Sequence, residues 1–436
     1  MPSRTEAHLV AVILDTANRR AALIADRLQL ALVVILLLVA SFSIAISQIA
    51  LGCLLGVTAY RWMFLKQRPV AIGLEWPALV LAAWALLMIP FSTDPGQSLL
   101  FYRRFYLLTA LWAVAGVVTS EQRRQWLLLA VLVGAVTISL IGSVRAYLNS
   151  GGLFIDRLGE MSNPMTSGAL LMIVTLLGGG FVLAKGSPRR LRMMVLVALL
   201  PVLLALAQTF TRGAWLGTVF GCGALLLAAR PRWFVAGSLL AVVAVLLLPG
   251  LLERSVSEGQ AHRFTLSYVL GGRSTAERVE MWQGGWKMVQ RHPLTGVGDR
   301  DLTTIAPDYY RGPDTEYYGH LHSNPVMFAV IWGVPGFLAA MIFLVAQLWL
   351  LLRRWRRCRG ESAKAPPFVS GWVLGAIGVW TGFFFAGLTE WTFGDAETMM
   401  LYLAILGVAL APRDTAPGMP DATDNDGGSA HGDAHA

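Results

Sequence analysis

Charged side chains are scarce in this chain: 14% of its 436 residues are Asp, Glu, Lys or Arg, against 56% hydrophobic. That shortage excludes an ordinary soluble domain, in which about a quarter of the residues are charged. Cysteine is rarer still. Of the three, Cys53 and Cys222 sit in apolar stretches and Cys358 in a basic loop. None can staple an external loop, so such a loop must be held by packing and hydrogen bonds. No short apolar core with a small-residue cleavage site precedes Arg27, and the first apolar run is expected to remain as an uncleaved anchor. The two halves do not repeat one another, which counts against a transporter built from inverted repeats.

What the chain has in quantity is apolar sequence in runs of about 20 residues, the length a helix needs to cross a bilayer. The pattern predicts an all-α, polytopic integral membrane protein with about twelve transmembrane helices. They are placed near 28–41, 44–60, 72–90, 98–118, 126–148, 165–184, 193–208, 212–229, 233–249, 324–352, 368–388 and 397–411. Basic residues cluster at Arg19, Arg20 and Arg27, at Arg61, Lys66 and Arg68, at Arg123 and Arg124, at 185–192, at Arg230 and Arg232, and at 353–360. With these spans every cluster falls on one side, which the positive-inside bias makes cytoplasmic. The chain then divides into a cytoplasmic segment 1–27, nine helices over 28–249, one large external loop over 250–321 and three helices over 322–411. The tail 412–436 is rich in Asp, Gly and Ala and is expected to be disordered. The net charge of +9 follows from this topology, and its partners are membrane lipids and not nucleic acid. Gly213, Gly217 and Gly221 recur every fourth residue and predict close approach of a neighbouring helix.

Basic residues on the outer side are the exception to that bias. Arg103 and Arg104 lie inside the fourth span, Arg157 precedes "SNPMTSGALL", and Arg212 opens the eighth span. A guanidinium at bilayer depth is costly and faces a partner or a wet cavity. Converging arginines suit a phosphate-bearing ligand such as a lipid diphosphate, because the planar fork binds phosphate oxygens in pairs. Within the loop, residues 274–293 read as an amphipathic helix with Val279, Trp282, Trp286 and Val289 on one face and Met281 and Met288 beside it. Its two tryptophans suggest that it lies along the membrane interface, with Arg278 on its first turn. "GHLHSNPVMF", 319–328, starts the tenth span, with Pro325 at a first helical position and Ser323 or Asn324 as the cap. His322 stands just outside it, where it serves as a base when neutral or simply bonds loop backbone. His320-x-His322 lacks further ligands at zinc-motif spacing. Asp299-x-Asp301 has the spacing of a metal-binding carboxylate pair, but Arg300 between them favours local pairing. No metal is expected.

The stretch "HSNPVMFAVIWGVPGF" from His322 resembles the signature of bacterial O-antigen ligases and of the related O-antigen polymerases and protein O-oligosaccharyltransferases. "TRGAWLG" at 211–217, "RVEMWQGGWKMVQRHPLTGVG" at 278–298 and "RLGEMSNPMTSGALL" at 157–171 are similar to segments of the same superfamily, and the layout matches over about 98–411. The resemblance implies an architecture like that of GT-C-type glycosyltransferases. It also implies transfer of a glycan from undecaprenyl diphosphate to a hydroxyl of lipid A-core, on the periplasmic side of the bacterial inner membrane, with no cofactor. By this resemblance His322 is the catalytic histidine, and Arg212, Arg278, Arg104 and Arg157 bind the diphosphate. Glu390 is the late-span acid, with Asp395 and Glu397 close enough in sequence to leave the choice open, and His320 is a supporting residue. A neutral histidine suits deprotonation of a sugar hydroxyl, and arginines suit the charge growing on a diphosphate leaving group. No carboxylate nucleophile is evident near His322, so a one-step, inverting displacement is expected. The "HSN" and "GVPG" elements favour a ligase over a polymerase. A protein oligosaccharyltransferase often carries an added C-terminal periplasmic domain, whereas this chain ends in a short polar tail expected in the cytoplasm. A glycolipid transporter would place charge in mid-span, and here the polar anomalies gather on one side.

Overall fold

The computed structural model describes residues 4–155, 157–159, 163–234, 273–311, 317–360 and 366–412. Most of the expected ninth span, the loop from 250 to 272 with Arg254, Arg263 and His262, and the tail from 413 onward lie outside these. The described residues are helical throughout, with no strand among them. In chain order the helices are α1 Arg4–Val39, α2 Ile44–Met63, α3 Glu75–Leu87, α4 Pro95–Tyr102, α5 Ala110–Ala115, α6 Glu121–Ser150, α7 Pro164–Leu183, α8 Arg189–Gln208, α9 Arg212–Ala229, α10 Arg273–Arg291, α11 Asn324–Gly360, α12 Pro367–Ala386 and α13 Ala396–Leu410. Among the described residues eight helices are long and apolar enough to cross a membrane: α1 from Asn18, α2, α6, α7, α8, α9, α11 and α12. The chain is an all-α, multi-pass membrane protein.

The first two spans form a hairpin, closed by a four-residue turn in which Ser43 caps α2 through the Ile46 amide at 3.4 Å. Three expected spans fall short of a full crossing, the last of them as the 15-residue α13. The third expected span is α3 followed by a 3-10 turn at Ile89–Phe91. The fourth splits into α4, a 3-10 stretch Arg103–Thr109 and α5. In the tighter stretch Arg103 is exposed while Arg104 is partly buried, so the two adjacent arginines part company. The sequence "RRWRRCRG" is not a loop. With no breaker before Gly360, α11 continues through it and buries Trp355 and Cys358.

The centre of the bundle is α7, α12 and α13, whose residues are nearly all buried. Glycine sets their spacing, as the repeat in α9 predicts. A side chain at Gly221 would meet the Gly378 carbonyl of α12 at 2.8 Å, and one at Gly213 would meet Thr389 at 2.9 Å. The basic residues meet at one end. Asp26 of α1 takes Arg61 of α2 at 3.8 Å and is paired with Arg123 of α6. Arg124, almost fully buried, reaches the Pro412 carbonyl beyond α13 at 3.2 Å, and Arg354 of α11 donates to the Leu410 carbonyl at 2.9 Å.

The expected tenth span is broken too. At Gly333 the chain adopts φ 68° and ψ −177°, a conformation that belongs almost only to glycine, two residues before Pro335. The groups released by the break all find partners, as buried backbone must. The Val330 carbonyl accepts from the Val297 amide at 2.8 Å, that of Ile331 from the Gly298 amide at 3.1 Å, and that of Trp332 from the Trp84 indole at 2.9 Å. The Val334 amide donates to the Pro293 carbonyl at 2.8 Å. A Gly333→Ala side chain would strike the Leu294 carbonyl and lie 2.9 Å from that of Pro293. This substitution is expected to destabilise the protein by about 3 kcal/mol or more. Gly52→Ala, with nothing within 4 Å of the added carbon, should leave the thermal midpoint of the purified protein unchanged.

Candidate active site

At the end of the bundle opposite Asp26 and Arg124, the starts of α7, α9 and α11 and the turn after α12 surround a cavity of about 420 Å³. Asn163 starts α7, its side chain accepting from the Met165 and Thr166 amides at 2.8 and 2.9 Å. Thr211 precedes α9 and donates its hydroxyl to the Pro164 carbonyl at 2.7 Å. Both α9 and α11 are entered through a non-glycine residue with positive φ nearby, Phe210 at 49° and His322 at 48°. Such backbone costs on the order of 1–3 kcal/mol and is retained where the surroundings enforce it, often at functional sites.

Around His322 the enforcement is visible. Asn324 does not cap α11 with its side chain. It bridges to the turn after α12, donating to Thr392 Oγ1 at 2.8 Å and accepting the Phe393 amide at 3.1 Å, while its own amide donates to the Gly387 carbonyl at 2.7 Å. Phe393 and Trp391 of that turn pack edge-on against Phe328 of α11. This clasp brings Glu390 to His322, with Oε2 at 3.1 Å from Nδ1. The other carboxylate oxygen, Oε1, accepts from Arg278 Nη2 at 2.5 Å. All three side chains are largely buried. With Nδ1 facing a carboxylate, the ring places its proton there and keeps Nε2 as the basic nitrogen.

Arg278 arrives on α10, which packs on the protein through a face other than its Val279–Trp286 stripe. Met281, Met288 and Val289 are buried, but Val279 and Trp286 are 43% and 62% exposed. The helix turns its glycines inward instead. Gly284 lies against the Tyr310 ring and Gly285 against Leu321 and Val326, because close contact between segments needs small residues where they cross. Trp282 then ties the helix to the site by donating to the Leu321 carbonyl at 2.9 Å.

Of the arginines expected at a diphosphate, Arg104 lines the cavity and lies 3.8 Å from Asp299. Arg157 holds the turn before α9, with Nε on the Thr209 carbonyl at 3.0 Å and Nη2 on Thr211 Oγ1 at 3.4 Å. Arg212 is half-buried at the start of α9, next to Gly213, which abuts Glu390 and Thr389. Among the late acids, Glu390 touches His322. Asp395 also lines the cavity but accepts from Thr398 at 2.9 Å. Within "DRD" no side-chain ion pair forms: Arg300 turns its Nη atoms to Thr93 and Thr304, and the Asp301 carboxylate accepts from Thr303. Among the described residues no three His, Cys, Asp or Glu side chains are grouped to hold a metal ion.

Residues 197–341 match the family model described as O-antigen ligase. This match over about a third of the chain supports its resemblance to the O-antigen ligase superfamily. No curated protein matches the chain. The O-antigen ligase segment contains Arg212, Arg278 and His322, and the fold adds Arg104, Arg157 and Glu390 from outside it. The match supports a glycosyltransferase-like enzyme.

His320 also lines the cavity, its ring 4.4 Å from that of His322. Burial, with His322 beside it, depresses its pKa from 6.5 to about 4. Below pH 6.5 the unfolded chain therefore binds more protons than the folded one, and stability should fall between about pH 6.5 and pH 4. The shift corresponds to about 3 kcal/mol at most. Thermal melts of wild type across this range should show the slope, and His320→Gln should flatten it.

Proposed function

We propose that the protein is an O-antigen ligase that transfers a glycan from undecaprenyl diphosphate to a sugar hydroxyl of lipid A-core. The His322–Glu390–Arg278 arrangement beside an arginine-lined cavity carries this reading. Glu390 fixes the imidazole, and Nε2 takes the proton of the acceptor hydroxyl as it attacks the anomeric carbon. Arg104, Arg157, Arg212 and Arg278 bind the diphosphate and stabilise the charge that develops on it. Arg278 spends one N–H on Glu390 and has others to offer, since a guanidinium carries five. The cavity opens to the periplasm and the basic ends face the cytoplasm. The chain crosses the bacterial inner membrane about twelve times, in the manner of GT-C-type enzymes.

The expectation of inversion needs a different basis from the one the sequence offers. Carboxylates do lie near His322, since Glu390, Asp299, Asp301 and Asp395 all line the cavity. Glu390 is nevertheless unsuited to nucleophilic attack, because both of its oxygens are engaged, one by Arg278 and one by His322. A single displacement with His322 as the base remains the proposed route, and the product should carry the inverted anomer. A retained anomer or a trapped glycosyl-enzyme would defeat it.

The deciding assay incubates purified protein with undecaprenyl-diphosphate glycan and lipid A-core in the presence of chelator. Transfer to lipid A-core is the expected result, and its absence overturns the proposal. Transfer only to a second carrier-linked glycan would identify a polymerase instead.

A further inference from the structure

We propose that Arg300 is a further substrate-binding residue, forming with Arg104 a wall of the cavity that takes the phosphate oxygens of the lipid-linked donor. The inference rests on the donor class proposed above. Arg300 is 9% exposed and lines the cavity, yet its hydrogen bonds all go to neutral oxygens. Nη1 donates to Thr93 Oγ1 at 3.0 Å, Nη2 to Thr304 Oγ1 at 2.8 Å and Nε to the Asp301 carbonyl at 3.3 Å. Its nearest carboxylate, Asp94, is 3.9 Å away and already accepts from the Gln97 amide and side chain. Three of its five N–H groups are thus used for positioning, and one on each Nη remains.

Arg104 is in a similar position. Its carboxylate neighbour Asp299 stands at 3.8 Å, too far for a hydrogen bond, and the other oxygen of Asp299 is buried without a partner. Burial raises the pKa of Asp299 despite Arg104, which weakens it as a counter-charge. Each guanidinium thus has its nearest carboxylate beyond hydrogen-bond distance, at 3.8 Å for Arg104 and 3.9 Å for Arg300, and an entering anion would meet donors that those carboxylates do not take up. The planar fork of arginine matches phosphate oxygens in particular.

The wall is also rigid and well placed. Thr93 donates both its amide and its hydroxyl to the Val297 carbonyl, at 2.9 and 2.7 Å, and the next residue, Gly298, has φ 94° and packs against Ser92 and Ser98. His320 neighbours both the base and this wall: its ring is 4.4 Å from that of His322, and it feels the charges of Glu390, Asp301 and Arg104.

The test measures binding rather than transfer. Full-length wild type, Arg300→Gln and Arg300→Lys, in phosphatidylcholine nanodiscs, are titrated calorimetrically with geranylgeranyl diphosphate and with geranylgeraniol. The diphosphate should bind Arg300→Gln about tenfold or more weakly than wild type, and Arg300→Lys, which keeps the charge but loses the fork, should lie between them. Binding of the alcohol should not change. Equal diphosphate affinity in wild type and Arg300→Gln overturns the proposal, as does an equal loss for diphosphate and alcohol. If Arg300→Gln fails to fold by its melting curve, Arg300→Lys decides on the same criterion. A third titration compares lipid A-core with and without its phosphates, and a loss confined to the phosphorylated acceptor overturns the assignment to the donor. Because no turnover is measured, absence of glycan transfer in wild type would sink the proposed function while leaving this result standing.

Discussion

Replacing His322 by alanine is expected to lower the rate of glycan transfer by about 10²–10⁴-fold, the contribution of a positioned general base. The loss should appear in kcat and leave KM for the lipid donor nearly unchanged, because the arginines and not the imidazole hold the diphosphate. His322 also sits at φ 48°, where alanine is less comfortable than histidine, so some stability will be lost as well. His322→Asn separates the two effects. Asparagine tolerates left-handed backbone but is no base, so it should restore the melting temperature without restoring transfer. Transfer by either variant at the wild-type rate would remove His322 from the mechanism.

The second large effect should come from Glu390→Ala. This carboxylate holds both His322 and Arg278, at 3.1 and 2.5 Å. Removing it frees the imidazole to turn and leaves a largely buried guanidinium without its acid. We expect at least a 10²-fold fall in kcat from the lost orientation and a destabilisation of about 3–5 kcal/mol from the unpaired charge. Glu390→Gln should be milder in stability, because the amide oxygen still accepts a bond, and nearly as severe in rate. The double variant Arg278→Ala with Glu390→Ala should be more stable than Glu390→Ala alone, since the stranded charge is gone. A double-mutant cycle by chemical denaturation measures this directly. Additive losses would mean that the contact carries no coupling and that Glu390 acts elsewhere.

The apolar runs and the sidedness of the basic residues were legible from the sequence, because both are one-dimensional consequences of a lipid solvent. The helix break at Gly333 was not. Its glycine and proline lie inside an apolar run that extends to Leu352, and hydropathy does not register a change in backbone direction. The contact face of α10 was not legible either, because Gly284 and Gly285 mark where segments touch, and absence of side chain scores as nothing in a periodicity. His322, Arg278 and Glu390 could be named from motifs, whereas their convergence depends on Asn324 clasping the turn at Thr392 and Phe393. Arg300 had no signal at all. Its partner Thr93 is 207 residues distant in sequence, and beside two aspartates a nearest-neighbour pairing looked sufficient.

The break in α11 fixes more than a bend. The chain touches it at Pro293, which accepts the Val334 amide, and again at Val297 and Gly298, which donate to Val330 and Ile331. Arg300 follows two residues later, while His322 precedes the same break on the other side. Base and arginine wall are therefore both hung from one backbone feature, and what holds them apart is main-chain hydrogen bonding and not the choice of side chains.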